Sequence, residues 1–155
     1  MASPVASAEA SSGPPALACA SLDLRMPNGE LIDLTGTWEG GATVHYVRQI
    51  GDCVWWIALS DWPDQELGDF YSFTFSGHLS SDFTLEGDFA AILRPNLMGL
   101  PISPSGHIKF DIDLPEANSD EPITLRQVDV TEEMEGSYID NTLRYLGPLP
   151  LPVRP

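Results

Sequence analysis

The side chains able to do chemistry in this chain are few in kind and unevenly spread. Asp61, Asp64, Glu66 and Asp69 crowd the stretch around Trp62-Pro63. Carboxylates so grouped could hold Ca²⁺, but their spacing departs from the EF-hand loop, so a solvated acidic loop is expected and no metal. His45, His78 and His107 fall on separate predicted strands, and at least 78 and 107 lie on polar faces. Three exposed imidazoles are therefore expected rather than a converging set. Cys19 and Cys53 lack metal-ligand spacing. They are read as unrelated thiols, with a disulfide the alternative in an oxidising compartment. There is no Gly-x-Ser-x-Gly, no glycine-rich phosphate loop and no Cys/His nucleophile arrangement. The expectation is a non-enzyme without cofactor.

Binding chemistry is better represented. Val44, Tyr46 and Arg48 share one face of a strand, and His45, Val47 and Gln49 the other. Arg48 beside Tyr46 could take a carboxylate inside a barrel, or sit outside and pair with an acidic neighbour. Trp55-Trp56 must point to opposite faces of a regular strand. The inward indole lines a pocket or fills the core. The outward one marks a contact through which copies self-associate, or is covered by a tail. Residues 92–105 form an unusually apolar loop in which Leu97, Met98 and Leu100 either cover a ligand at an open mouth or plug it.

These residues need a scaffold, and hydropathy with a period of two supplies it. Strands are predicted at 34–39, 42–50, 53–60, 69–79, 83–91, 106–114 and 123–130, with an eighth at 142–146. Tyr71, Phe73, Phe75 and Leu79 alternate with Ser72, Thr74, Ser76 and His78, and Ile108, Phe110 and Ile112 alternate with polar neighbours. One face packed and one in water is the chemistry of antiparallel sheet. Gly40-Gly41 and Gly51-Asp52 are hairpin turns, the second of type II′ form. No helical crossovers separate the strands, so a parallel α/β sheet is excluded. An all-β, single up-and-down barrel is expected, with a Greek-key sandwich as the alternative. A short helix is expected to start at Thr131. The domain is placed at 30–145, after a disordered Ala/Ser/Pro-rich leader, 1–29, and before an extended Pro-rich tail, 146–155. Within the leader, Leu22, Leu24 and Met26 could begin to touch the domain, and Met26–Gly29 forms a turn into the first strand.

The chain has 155 residues, 23 acidic against 7 basic, and a net charge of −16. Such a polyanion is repelled by phosphate backbones and anionic surfaces, so neither nucleic acid nor a membrane is an expected partner. No apolar run is long enough to span a bilayer, and no signal peptide is present as written, so a soluble, cytoplasmic protein is the default expectation.

Gly36-Thr37-Trp38 at the head of the first strand resembles the Gly-x-Trp signature of the calycin superfamily of lipocalins, fatty-acid-binding proteins and avidins. Leu34 to Trp38 looks most like the opening of an avidin. The string on to Trp56 is similar to small uncharacterised bacterial proteins of the form GTW…YVRQxG…VWW. The resemblance implies a barrel in which Gly36 and Trp38 close one end, with Arg126 or Arg144 packing across the tryptophan. Biotin binding is not implied, because Glu39, Gly40 and Ala42 stand where avidins place their ureido-binding groups. What the family implies is a small, largely apolar ligand in the barrel. The alternative is a structural or interaction module with a barrel filled by side chains. Convergence of Phe73, Phe75, Phe83, Phe89 and Phe110 favours little free volume.

Overall fold

The computed structural model describes residues 18–41, 43–60, 71–93, 105–131 and 142–149. Eight strands follow one another: β1 (Gly36–Glu39), β2 (Thr43–Ile50), β3 (Cys53–Ser60), β4 (Tyr71–Leu79), β5 (Thr84–Leu93), β6 (Ser105–Asp113), β7 (Thr124–Val130) and β8 (Thr142–Gly147). Each pairs antiparallel with the next, and β8 returns to β1, so the sheet is a closed up-and-down barrel. Closure removes both sheet edges. The expected architecture is thus the observed one, with strand limits within two residues of those read from the alternation. The short helix expected from Thr131 falls mainly on residues 132–141, outside the described residues.

The inward residues are the apolar members of each alternation. Trp38, Val47, Val54, Trp56, Ala58, Phe73, Phe75, Phe89, Ile108, Phe110, Leu125 and Leu143 are all buried. Large and small residues are interleaved, as a narrow barrel requires. Phe73 lies between Ala58 and Ala91 in the register of β3, β4 and β5. Gly77 and Gly87 are direct partners, and a Cβ on Gly77 would fall 2.5 Å from the Phe75 ring. The two glycines make the notch in which that ring lies.

An up-and-down barrel has two ends. One carries the Gly51-Asp52 turn, the β4–β5 turn and the start of β1. Gly51 has φ +57° and Asp52 does not have positive φ, which fits the type II′ form. This end is filled by the segment preceding β1. Arg25 and Leu31 form a bridge around the Met26–Gly29 turn, in which the Gly29 N–H donates to the Met26 carbonyl at 2.9 Å. Leu24, Ile32 and Leu34 are buried in the main core cluster. Gln49 holds the segment, accepting from the Leu34 N–H at 2.8 Å and donating to the Gly51 carbonyl at 2.9 Å.

Two expectations are corrected here. Residues 18–29 belong to the barrel floor rather than to a disordered leader. Leu24 is buried and Leu22 and Met26 pack on the core, as expected of those three, and the Met26–Gly29 turn is in place. Cys19 and Cys53 are not unrelated thiols but a disulfide, with Cα atoms 5.3 Å apart. Reciprocal bonds between Ala20 and Asp52 lie beside it: the Ala20 N–H donates to Asp52 Oδ1 at 2.6 Å, and the Asp52 N–H to the Ala20 carbonyl at 2.9 Å. A bond closing a loop of this separation, 34 residues, removes denatured-state entropy worth about 4 kcal/mol. Period-two patterning has no term for such a contact.

Candidate functional site

Two places in the molecule bear on function: the barrel interior toward its other end, and the outer wall of β2 and β3. The interior is ordered by Trp56. Its indole stacks on Phe75 with centroids 3.9 Å apart and planes 13° apart, and meets the Phe110 ring edge-on at 5.6 Å. His45 approaches the same indole edge-on at 5.8 Å. His45 is 2% exposed, and its Nδ1 lies 3.4 Å from the hydroxyl of Thr43, which is equally buried. The expectation of three exposed imidazoles therefore fails at this position. The register explains why: β1 pairs Trp38 with His45, and directly opposed residues share a face. Once Trp38 is inside, His45 must be inside as well.

Between His45, Trp56, Phe73, Phe89 and Ile108 a space of about 10 Å³ remains. That is at most room for one water. Gln127 on β7 also turns inward opposite Phe110, and its Oε1 has no hydrogen-bond partner among the described residues.

The closure residues behave differently from what the family resemblance implies. Trp38 is fully buried; its indole N–H donates to the Leu34 carbonyl at 2.9 Å, and its ring meets Tyr145 edge-on at 5.3 Å. Gly36 makes that contact sterically feasible, since a Cβ there would overlap the Tyr145 ring and the Gly147 carbonyl. Neither arginine packs across the indole. Arg126 bonds Asp113 and Asp111 on the outer face, each at 3.1 Å. Arg144 pairs with Glu39, also outside. Tyr145 and the Leu34 carbonyl take the place expected for an arginine. An apolar floor offers an arginine no counter-charge, whereas the outer wall is rich in carboxylates.

Tyr46 and Arg48 lie outside the barrel and are both exposed, so they line no interior pocket. Trp56 is the inward member of the tryptophan pair, and Trp55 the outward, half-buried one. Leu97, Met98 and Leu100, together with the acidic cluster from Asp61 to Asp69, lie outside the described residues. Sequence reasoning missed His45 and the outward run of Ile57 and Leu59, which are 46% and 44% exposed.

The outer wall of β5 to β7 is charged. His107 bridges two carboxylates, with Nδ1 3.0 Å from Asp88 and Nε2 2.8 Å from Glu86. Hydrogen bonding to Asp88 first, then to Glu86, raises its pKa above the usual imidazole value. Asp113, then Asp111, likewise favours charged Arg126. Asp82 is held below the ordinary carboxylate value by the Ser80 and Thr84 hydroxyls of the β4–β5 turn. Cys19, Asp52 and Cys53 bring three potential ligand atoms within 4.8 Å, but both sulfurs are spent in the disulfide. Comparison with known proteins gave no matching family model, no matching curated protein and no matching solved structure.

Proposed function

We propose that this protein is a non-catalytic interaction module: a barrel whose interior is occupied by its own side chains and whose outer surface carries the contacts. One observation carries the reading. The stack of Trp56 on Phe75, abutted by Phe110, crosses the volume where a calycin-like carrier would hold its ligand. Among the described residues, a small apolar molecule could lie beside Trp56 only by displacing those rings, at a cost of several kcal/mol in lost burial. Asp82, His107 and Arg126, each with a shifted pKa, sit on a turn and on the outer wall rather than in a cleft. The non-catalytic reading takes them as surface pairs rather than as acid–base machinery. A calycin-like relationship belongs to the same reading, supported by Gly36, Trp38 and the closed meander. The Cys19–Cys53 bond favours an oxidising compartment over the cytoplasm.

Native mass spectrometry of protein purified from its own host tests this. The expected result is the bare chain mass with one disulfide. A stoichiometric apolar ligand that leaves only on denaturation overturns the reading and restores the carrier.

A further inference from the structure

The outward faces of β2 and β3 form one continuous wall. Across the register Val44 lies beside Leu59, Tyr46 beside Ile57, and Arg48 beside Trp55. Tyr46, Leu59, Ile57 and Ile50 are 37%, 44%, 46% and 52% exposed. The next strand continues the wall with Ser72, Thr74, Ser76 and His78, its outward set. Among the described outward residues of these three strands there is no carboxylate, although the chain holds 23 acidic residues against 7 basic ones. The opposite wall carries Glu86, Asp88, Asp111, Asp113 and Asp129. Arg48, in the middle of the apolar wall, makes no ion pair among the described residues, whereas Arg25, Arg126 and Arg144 all do.

We propose that this wall is a self-association surface, on which a second copy of the chain seats its own β2–β3 face. The proposal rests on the interaction-module reading and names its partner. Charge selects the face. Two bodies of charge −16 repel in most orientations, and repel least where both present a face without carboxylates. Removing Tyr46, Ile57 and Leu59 from water supplies the driving force. Seven side chains make a small contact against the roughly 20–30 residues a side of a standard interface, so the dimer is weak and reversible. Its salt dependence is distinctive. Added salt screens the long-range repulsion between like-charged bodies more than it weakens apolar burial, so association strengthens with ionic strength.

Sedimentation velocity on the full chain, from about 1 µM to about 1 mM, brackets the affinity of such a contact. The expected result is a weight-average mass rising toward twice that of the monomer, more steeply at high salt. Ile57→Asp should weaken association at least about tenfold, a 1.4 kcal/mol change. Ile57→Ser provides the same test should the charged variant fold poorly, and near-UV circular dichroism reports folding of each. Val128→Asp, at an exposed apolar residue on β7, should leave association unchanged. A monomer throughout the range, as expected if another segment or another protein occupies the wall, overturns the proposal. So does a dimer insensitive to both Ile57 substitutions, or one that weakens with salt. A monomer would leave the bare-mass expectation intact, and a retained ligand would leave self-association intact, so the two readings fail separately.

Discussion

The hairpin of β2 and β3 and that of β5 and β6 are built alike on the inside and differently on the outside. Inward, β2–β3 presents Val47, Val54, Trp56 and Ala58, while β5–β6 presents Leu85, Phe89, Ile108 and Phe110, all buried. Outward, the first shows Tyr46, Arg48, Trp55, Ile57 and Leu59, and the second shows Glu86, Asp88, His107, Lys109 and Asp111. The shared inner chemistry is what a closed barrel demands of any strand pair. The outer chemistry is free of that demand, because cross-strand polar pairs satisfy a solvent-facing wall as well as apolar ones do. Their divergence is what the proposed interaction role rests on. The charged wall is self-satisfied, each His107 nitrogen and Arg126 having a carboxylate. On the apolar wall His78 pairs with Asp52, but Arg48 has no ion pair among the described residues.

If the inner faces are equivalent, Trp56→Ala and Phe110→Ala should each cost about 3–5 kcal/mol in urea unfolding. A near-neutral result for one would mean that its hairpin is not part of the common core. Disulfide removal comes next. The double variant Cys19→Ser/Cys53→Ser should lose about 2–4 kcal/mol, with dithiothreitol giving the same loss in the wild type. The loss should be read in the floor, as faster amide exchange at Ala20 and Leu34 than at Phe110. Gly36→Ala should cost about 1–3 kcal/mol by forcing Tyr145 aside. The smallest effects belong to the outer walls. His107 has a raised folded-state pKa, so its contribution is fully present below the unfolded value, near 6.5, and is lost as pH rises through the folded value. The difference in Tm between wild type and His107→Asn should therefore be greatest in mild acid and vanish in mild alkali. Ile57→Ser should shift Tm at low protein concentration by no more than an ordinary surface change, within about 0.5 kcal/mol.

The order and most limits of β2 to β7 were legible because alternation over seven to ten residues has no other economical reading, whereas β1 and β8, of 4 and 6 residues, gave weaker signals. Period two says which residues share a face, however, not which face is inside. On β2 both sets are mixed, Val44, Tyr46 and Arg48 against His45, Val47 and Gln49, so hydropathy alone could not orient the strand. The pairing of Trp38 with His45 holds that information, but the connection runs from Gly40 to Thr43, closed by the Gly40 N–H donating to the Thr43 carbonyl. It is wider than the tight Gly40-Gly41 turn expected from the sequence, which would have set Trp38 opposite Thr43. The floor was legible only in part. Leu22, Leu24 and Met26 alternate with Asp23 and Arg25 and do pack on the core, but the groups that tie the segment down, Asp52 and Cys53, lie 32 and 34 positions from their partners. Arg126 and Arg144 lay in the region the resemblance pointed to, yet the abundance of outer carboxylates drew both outward.

The central claim is that the barrel is filled from within. Titration of a neutral apolar fluorophore into the disulfide-bonded wild type, followed by energy transfer from tryptophan, tests it most directly when run beside Trp56→Ala. The account predicts no saturable one-to-one binding to the wild type and new binding to the variant, whose lost indole opens a cavity among Phe75, Phe110 and His45. Stoichiometric binding to the wild type that Trp56→Ala abolishes would contradict it.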